Sequence, residues 1–183
     1  MHTMTSEDEL AMRAATGDAE AFQSLLEGHY DRIFRLAYRF FGNQSDAEDL
    51  TQDVCLALPK KLKSFAARAR FSTWIYQVVL NACRDQLRSQ SSRRSLDEAY
   101  GEVSEFNKAA ERETQEQIKW LYSALDSLNL QLRETAILVL AEDMTHAQAA
   151  EILDIKEKTV SWRMHEIRKQ LKVLAESSDG EFE

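Results

Sequence analysis

Ser45-Asp46-Ala47-Glu48-Asp49-Leu50-Thr51-Gln52-Asp53-Val54, continuing through Lys60-Lys61-Leu62-Lys63-Ser64-Phe65 and Arg68-Ala69-Arg70 to Phe71-Ser72-Thr73-Trp74-Ile75-Tyr76-Gln77-Val78-Val79-Leu80-Asn81, is the stretch that decides the fold. Leu50, Val54 and Leu58 recur at helical spacing and predict an inward stripe. Glu48, Asp49, Gln52 and Asp53 then share the opposite face. Ser45 with Glu48 three residues on has the form of a capping box, which predicts the helix start. Pro59 and the Lys-rich run predict a change of direction. A further helix is expected from near Ser72, burying Ile75, Val78, Val79, Ala82 and Leu87.

Working outward, Phe22, Leu25, Leu26, Ile33, Leu36, Ala37 and Phe40 form one long stripe between Gly17-Asp18 and Gly42-Asn43. A short helix across Glu7 to Ala15 precedes it. These helices predict a bundle over residues 1–94. From Ser89 the apolar pattern fades into Ser, Arg, Glu and Asn, so residues 95–115 read as a flexible linker. Helical signal resumes at Gln117, and four short helices are expected as far as Ala175 within a second domain, 116–176. Residues 177–183 look frayed. Thr145 and Gln148 form another capping box. Ala150, Leu153, Ile155 and Val160 fall where a helix-turn-helix needs a small residue, two core residues around its turn and an anchor in its second helix. Asp154 occupies the turn position where Gly is common, and Asp tolerates the left-handed conformation.

The whole chain of 183 residues has one proline, five glycines and a net charge of −8. That composition predicts an all-α protein of two small domains. The charge is unevenly spread. Lys60 to Arg94 holds nine basic residues and one acid, Asp97 to Glu116 seven acids and two bases, and Lys156 to Lys172 six bases and two acids. Two basic blocks on an acidic chain suit two phosphate-facing surfaces; solvated helix faces would give the same pattern. Cys55 and Cys83 stand apart from any CxxC or His pairing, which predicts reduced thiols and no metal site. No apolar run approaches the roughly 20 residues of a membrane span. The acidic N-terminus is unlike a signal peptide, so a cytoplasmic protein is expected. Triad, HExxH and Gly-rich phosphate motifs are missing from the sequence, and no enzymatic role or cofactor is expected.

Acid first, then base with aromatics, resembles region 2 of the extracytoplasmic-function (group IV) sigma factors of the sigma-70 family. The helix-turn-helix pattern resembles their region 4. The resemblance implies that Glu48, Asp49, Gln52 and Asp53 dock on the clamp helices of the largest subunit of core RNA polymerase, with the flap a further contact. It implies that the Lys63 to Arg70 loop captures a flipped base of the −10 promoter element, assisted by Asn81. Lys63, Phe65, Arg68, Arg70, Phe71, Trp74 and Asn81 are the candidates for that site. Phe71 and Trp74 would serve equally well as core aromatics. The loop reads Phe65-Ala66-Ala67-Arg68-Ala69-Arg70-Phe71, without the Gly and acidic residue usual there.

For the −35 major groove the candidates are Lys158, Thr159, Ser161, Trp162, Arg163, His165, Glu166 and Lys169, with Val160 and Ile167 turned inward. Ser161 and Glu166 replace the Lys or Arg common at those positions, and a Glu can accept from a cytosine amino group. The family also implies promoter DNA as ligand and an anti-sigma factor as partner, with no membrane insertion. A different class fits the same residues: a sigma-like adaptor or inhibitor that binds polymerase without initiating. A lone helix-turn-helix regulator leaves the Asp46 to Arg88 block unexplained.

Overall fold

The computed structural model describes residues 4–94 and 120–179, with side chains of 90–94 and 177–179 left aside. The linker expected over 95–115 and the last residues of the tail, 180–183, lie outside the described residues. Among the described residues every regular element is helical. The chain divides into two compact units, one built on residues up to Gln90 and the other on most of the residues after it.

In the N-terminal unit α1 spans Ser6–Ala15, α2 Ala19–Phe41, α3 Gln44–Leu62 and α4 Phe71–Arg94. Each start is set by a side chain that satisfies orphan amides. Thr5 and Asp8 form a capping box on α1, and Asp18 caps α2 at Ala21. Gly42, at φ 71, ends α2 by donating its N–H to Tyr38. The chain turns there into an extended Asn43 (φ −139), whose Oδ1 accepts from Asp46 N at 2.8 Å. The expected Ser45–Glu48 box therefore does not form. Asn43 takes the cap directly after the left-handed Gly42, and Ser45 already lies inside α3. Asp46 supplies the reciprocal bond, accepting from Asn43 Nδ2 at 2.8 Å.

Pro59 does not redirect the chain either. Helix α3 continues through it to Leu62, because Leu58 and Leu62 are fully buried and draw the last turn inward. Pro59 removes the amide that would have bonded Cys55 O, and the burial of Leu58 and Leu62 offsets that loss. In α2 the stripe buries Leu25, Ile33, Leu36, Ala37 and Phe40, with Phe22 and Leu26 half-buried. Ile33 and Leu36 meet Ile75, Tyr76 and Val79 of α4 along one shallow groove. In α4, Cys83 takes the buried position, and Ala82 and Leu87 are half-buried.

In the C-terminal unit the first described residues, 120–127, are helical (α5), and α6 (Leu130–Ala136), capped by Asn129, follows. Buried Arg133 fastens these two helices, bonding Leu125 O at 3.0 Å and Asp126 at 2.8 Å. A π turn over Ile137–Ala141 comes next, in which Glu142 N reaches back to Ile137 O. Helix α7 (His146–Leu153) starts at the Thr145–Gln148 capping box, with bonds of 2.9 and 3.2 Å. Asp154 adopts φ 53 in the turn to α8, Glu157–Asp179. This last helix is long, not short, and it stays helical past Ser177. Val160, Met164 and Ile167 bury its inner face, three residues on one stripe at i, i+4 and i+7.

Candidate functional site

On α3 the inner face is closed by Leu50, Thr51 and Val54, each at most 2 % exposed. Thr51 turns its hydroxyl back onto Ala47 O at 2.6 Å. Glu48, Asp49, Gln52 and Asp53 are all exposed on the other side. Glu48 accepts from Gln44 Nε2 at 2.6 Å, which holds it along the helix. One residue of this face escaped the sequence reading. Leu56 is 80 % exposed, one turn beyond Gln52 and two beyond Asp49. Its spacing was the available signal: i+7 from Asp49 sets it among the acids. Carboxylates around one exposed leucine set negative charge beside an apolar side chain on the same exposed face.

The segment between α3 and α4 separates two kinds of residue. Lys63, Arg68 and Arg70 are exposed, as are Lys60 and Lys61, giving a cationic track. Phe65 and Phe71 are buried, at 8 % and 0 %. The Phe65 ring stands edge-on to Phe71 (5.7 Å) and Trp74 (5.4 Å), and Phe71 lies 5.0 Å from His29. Neither Phe offers a free face for stacking a base, contrary to the role expected of them. A short loop closed at both ends by aromatic residues spends those rings on the core. Trp74 is half-buried.

Between the rings the backbone is tightly set, with Ala67 at φ 50. Asn81 is exposed ten residues into α4 from Phe71, and its Oδ1 accepts from Arg84 at 2.7 Å. Sequence reasoning also missed Asp8. This fully buried carboxylate takes Phe71 N at 2.6 Å through one oxygen and Thr5 N at 2.8 Å through the other.

In α8, Lys158, Ser161, Trp162, His165 and Lys169 are exposed, and Thr159 is half-buried. Trp162 is 62 % exposed. Ser161 Oγ bonds Glu157 O at 3.2 Å and His146 Nδ1 at 3.0 Å, tying the two helices of the motif. Arg163 does not join this face. It is buried, donating to Gln131 Oε1 at 3.1 Å and Thr135 Oγ1 at 3.4 Å on α6. The helical angle explains the change: Arg163 sits beside Met164 and three residues past Val160, on the edge of the inner stripe. Half-buried Glu166 accepts from Gln170 at 2.9 Å. Both are candidates for the −35 groove, and only Glu166 remains near the outer face.

Among the described residues no helix is long and apolar enough to cross a membrane, and no three His, Cys, Asp or Glu side chains are grouped to hold a metal. The chain matches the family Sigma-70 region 2 over residues 25–93 and the family Sigma-70, region 4 over residues 118–171. It is 34% identical to the ECF RNA polymerase sigma factor SigE of Mycolicibacterium smegmatis, over 86% of this chain and 64% of that protein. It is 31% identical to the RNA polymerase sigma factor NccH of Alcaligenes xylosoxydans xylosoxydans, over 94% of this chain and 96% of that one. In fold it is similar to the sigma factor RpoE from Bartonella quintana, solved with the anti-sigma factor NepR, at a TM-score of 0.67 and 22% identity. That likeness covers 86% of this chain and 98% of the other. The chain belongs to the extracytoplasmic-function sigma factors of the sigma-70 family.

Proposed function

We propose that the exposed face of α3 binds core RNA polymerase, at the clamp helices of its largest subunit. The α3–α4 loop then takes the −10 element and α8 takes the −35 element. The observation that carries this reading is the run from exposed acid to exposed base within one stretch of backbone. Glu48, Asp49, Gln52, Asp53 and Leu56 end one turn before the cationic track of Lys60 to Arg70 begins. A polymerase so docked would bring the track to the strand being opened. Its backbone contacts come from Lys63, Arg68 and Arg70, and Asn81 offers hydrogen bonds to an unpaired base. Phe65 and Phe71 build the wall behind the loop, and Trp74 and the loop backbone join Asn81 in touching the base. On α8 the exposed Trp162 and His165 meet base edges, while Lys158 and Lys169 meet phosphates.

The nucleotidyl transfer belongs to the polymerase, and this chain supplies recognition and opening in the cytoplasm. Control by an anti-sigma factor accords with the complex in which the Bartonella relative was solved. Such a partner would cover the α3 face.

The test is run-off transcription with purified core polymerase. Replacing residues 66–70 by a Gly/Ser segment of equal length, which keeps the buried Phe65, should leave core binding intact and abolish open complexes on linear duplex. A pre-melted bubble should restore part of the activity, because it removes an unpairing cost of roughly a few kcal/mol. Equal loss on both templates would remove the opening role. The adaptor reading draws on the buried Arg163 and the neutral Ser161, which leave α8 a modestly charged outer face. It prevails if the intact chain binds core and starts no transcript on any promoter of a genomic library.

A further inference from the structure

We propose that Asp8 is a positioning residue for promoter opening, and that α1 is a latch holding the 63–70 loop in its base-receiving shape. The proposal rests on the assignment of that loop to the −10 element. Asp8 lies 63 positions from Phe71 in sequence, yet its Oδ1 takes the Phe71 amide at 2.6 Å. Phe71 is the first residue of α4, and its N–H is one of the orphan donors that a helix start leaves to be satisfied from outside. The usual solution is a local cap of Ser, Thr, Asp or Asn. Here Arg70 precedes the helix, and an acid from another helix does the work instead.

The second oxygen of Asp8 is committed as well. It accepts from Thr5 N at 2.8 Å and Thr5 Oγ1 at 2.9 Å, so one carboxylate joins the starts of α1 and α4. Both helix N-termini favour negative charge there. An asparagine at this position could serve one side only, since its amide nitrogen would face a donor.

What the latch holds is the downstream end of the loop. The upstream end is held by the buried Phe65 ring against Phe71 and Trp74, and by Phe65 N on Leu62 O at 2.8 Å. With both ends fixed, the span from Ala66 to Arg70 must turn within five residues, and Ala67 takes φ 50 to do so. A non-glycine residue keeps that conformation only when its surroundings impose it. Releasing Phe71 N would let Ala67 relax and let Arg68 and Arg70 drift from their places. A base-receiving site loosened by about an ångström loses much of its effect.

The experiment uses the full chain with core polymerase and a fork-junction probe carrying 2-aminopurine in the non-template strand of the −10 element. Asp8→Asn should bind core within about twofold of wild type. It should lower the unstacking signal by roughly tenfold or more, measured well below its melting temperature. Asp8→Glu keeps the charge, and so the fold, while its extra methylene displaces the carboxylate. It should show an intermediate loss, and it carries the test if Asp8→Asn does not fold. Thr5→Ala weakens α1 but leaves the Asp8–Phe71 bond, and it should unstack normally at the same distance below its own melting point. If Thr5→Ala loses the signal equally, Asp8 acts only through stability and the proposal is overturned. If the Asp8 variants unstack normally while the Gly/Ser loop does not, the latch is wrong and the −10 assignment stands. If the Gly/Ser loop also unstacks normally, the −10 assignment itself fails, and the latch with it.

Discussion

Arg163 separates two uses of a cation on a recognition helix, and its replacement tells them apart. Its guanidinium donates to Gln131 Oε1 at 3.1 Å and, at the long limit, to Thr135 Oγ1 at 3.4 Å. A well-formed bond to a charged group contributes about 1.5–3 kcal/mol, and the longer one counts near the low end, about 0.5 kcal/mol. Thr135 is fully buried, so its oxygen would not be rehydrated without rearrangement. Arg163→Ala should therefore destabilise the C-terminal unit by about 2–4 kcal/mol. That is roughly a 30- to 1000-fold change in its unfolding equilibrium, and a melting shift on the order of 10–20 °C for a unit of this size. Arg163→Met keeps the apolar stem and should recover part of the loss.

Calorimetry on the full chain reads the stability. Selection of −35 sequences at low temperature reads the specificity, which both variants should leave in the wild-type order. A variant that melts within about 0.5 kcal/mol of wild type, the ordinary range of a surface change, but loses preference at one base pair would refute this reasoning. Arg163 would then leave its pocket on binding and read DNA.

Charge reversal on the α3 face, Asp49→Arg with Asp53→Arg, should weaken core binding well over tenfold with helicity unchanged. Leu56→Ala should weaken it further without altering its salt dependence, and competition binding against labelled wild type measures both. Glu166→Ala should relax the −35 preference at one position by about 1–3 kcal/mol if Glu166 accepts from a base. Lys169→Ala should weaken all sequences alike and flatten the salt slope; filter binding at several salt concentrations distinguishes them. His29 gives a pH dependence. Burial holds its imidazole below the usual 6.5, although Glu7 at 3.1 Å pulls the other way. The folded state thus prefers neutral His29, its contribution is complete above pH 6.5 and it declines as the pH falls below that value. Melting temperatures at pH 7.5 and 5.5 should differ less for His29→Gln than for wild type.

What the sequence disclosed is what short-range chemistry determines. The stripes of α2 and α3 are helical periods, the Thr145–Gln148 box is local, and Asp154 at φ 53 follows from its place in the turn. Errors arose where a neighbouring element intervened. Ser45 and Asn43 are both good caps, and the choice fell to Gly42 ending the preceding helix. Phe65 and Phe71 have the composition of a base-stacking platform, and only the arrival of His29 and Asp8 from other helices makes them core. Arg163 looks like a DNA contact until α6 is laid against it. Leu56 is the converse case: an apolar residue is assumed inside, and helical phase alone turned it out.

The π turn over Ile137–Ala141 has a consequence for chain length. An α-helix becomes a π turn by accommodating one residue more than its hydrogen bonds require, here with Glu142 N bonded to Ile137 O at 2.9 Å. Leu138 inside the turn is fully buried, whereas Leu140 is 57 % exposed. Deleting Leu140 would let ordinary helical bonding resume and leave the buried face from Leu132 to Leu138 in phase. A one-residue deletion within α8 would instead rotate everything beyond it by about 100° and expose Met164 or Ile167. Gaps and insertions among relatives should therefore collect at this turn, and shuffled or shortened versions of the unit are best joined there.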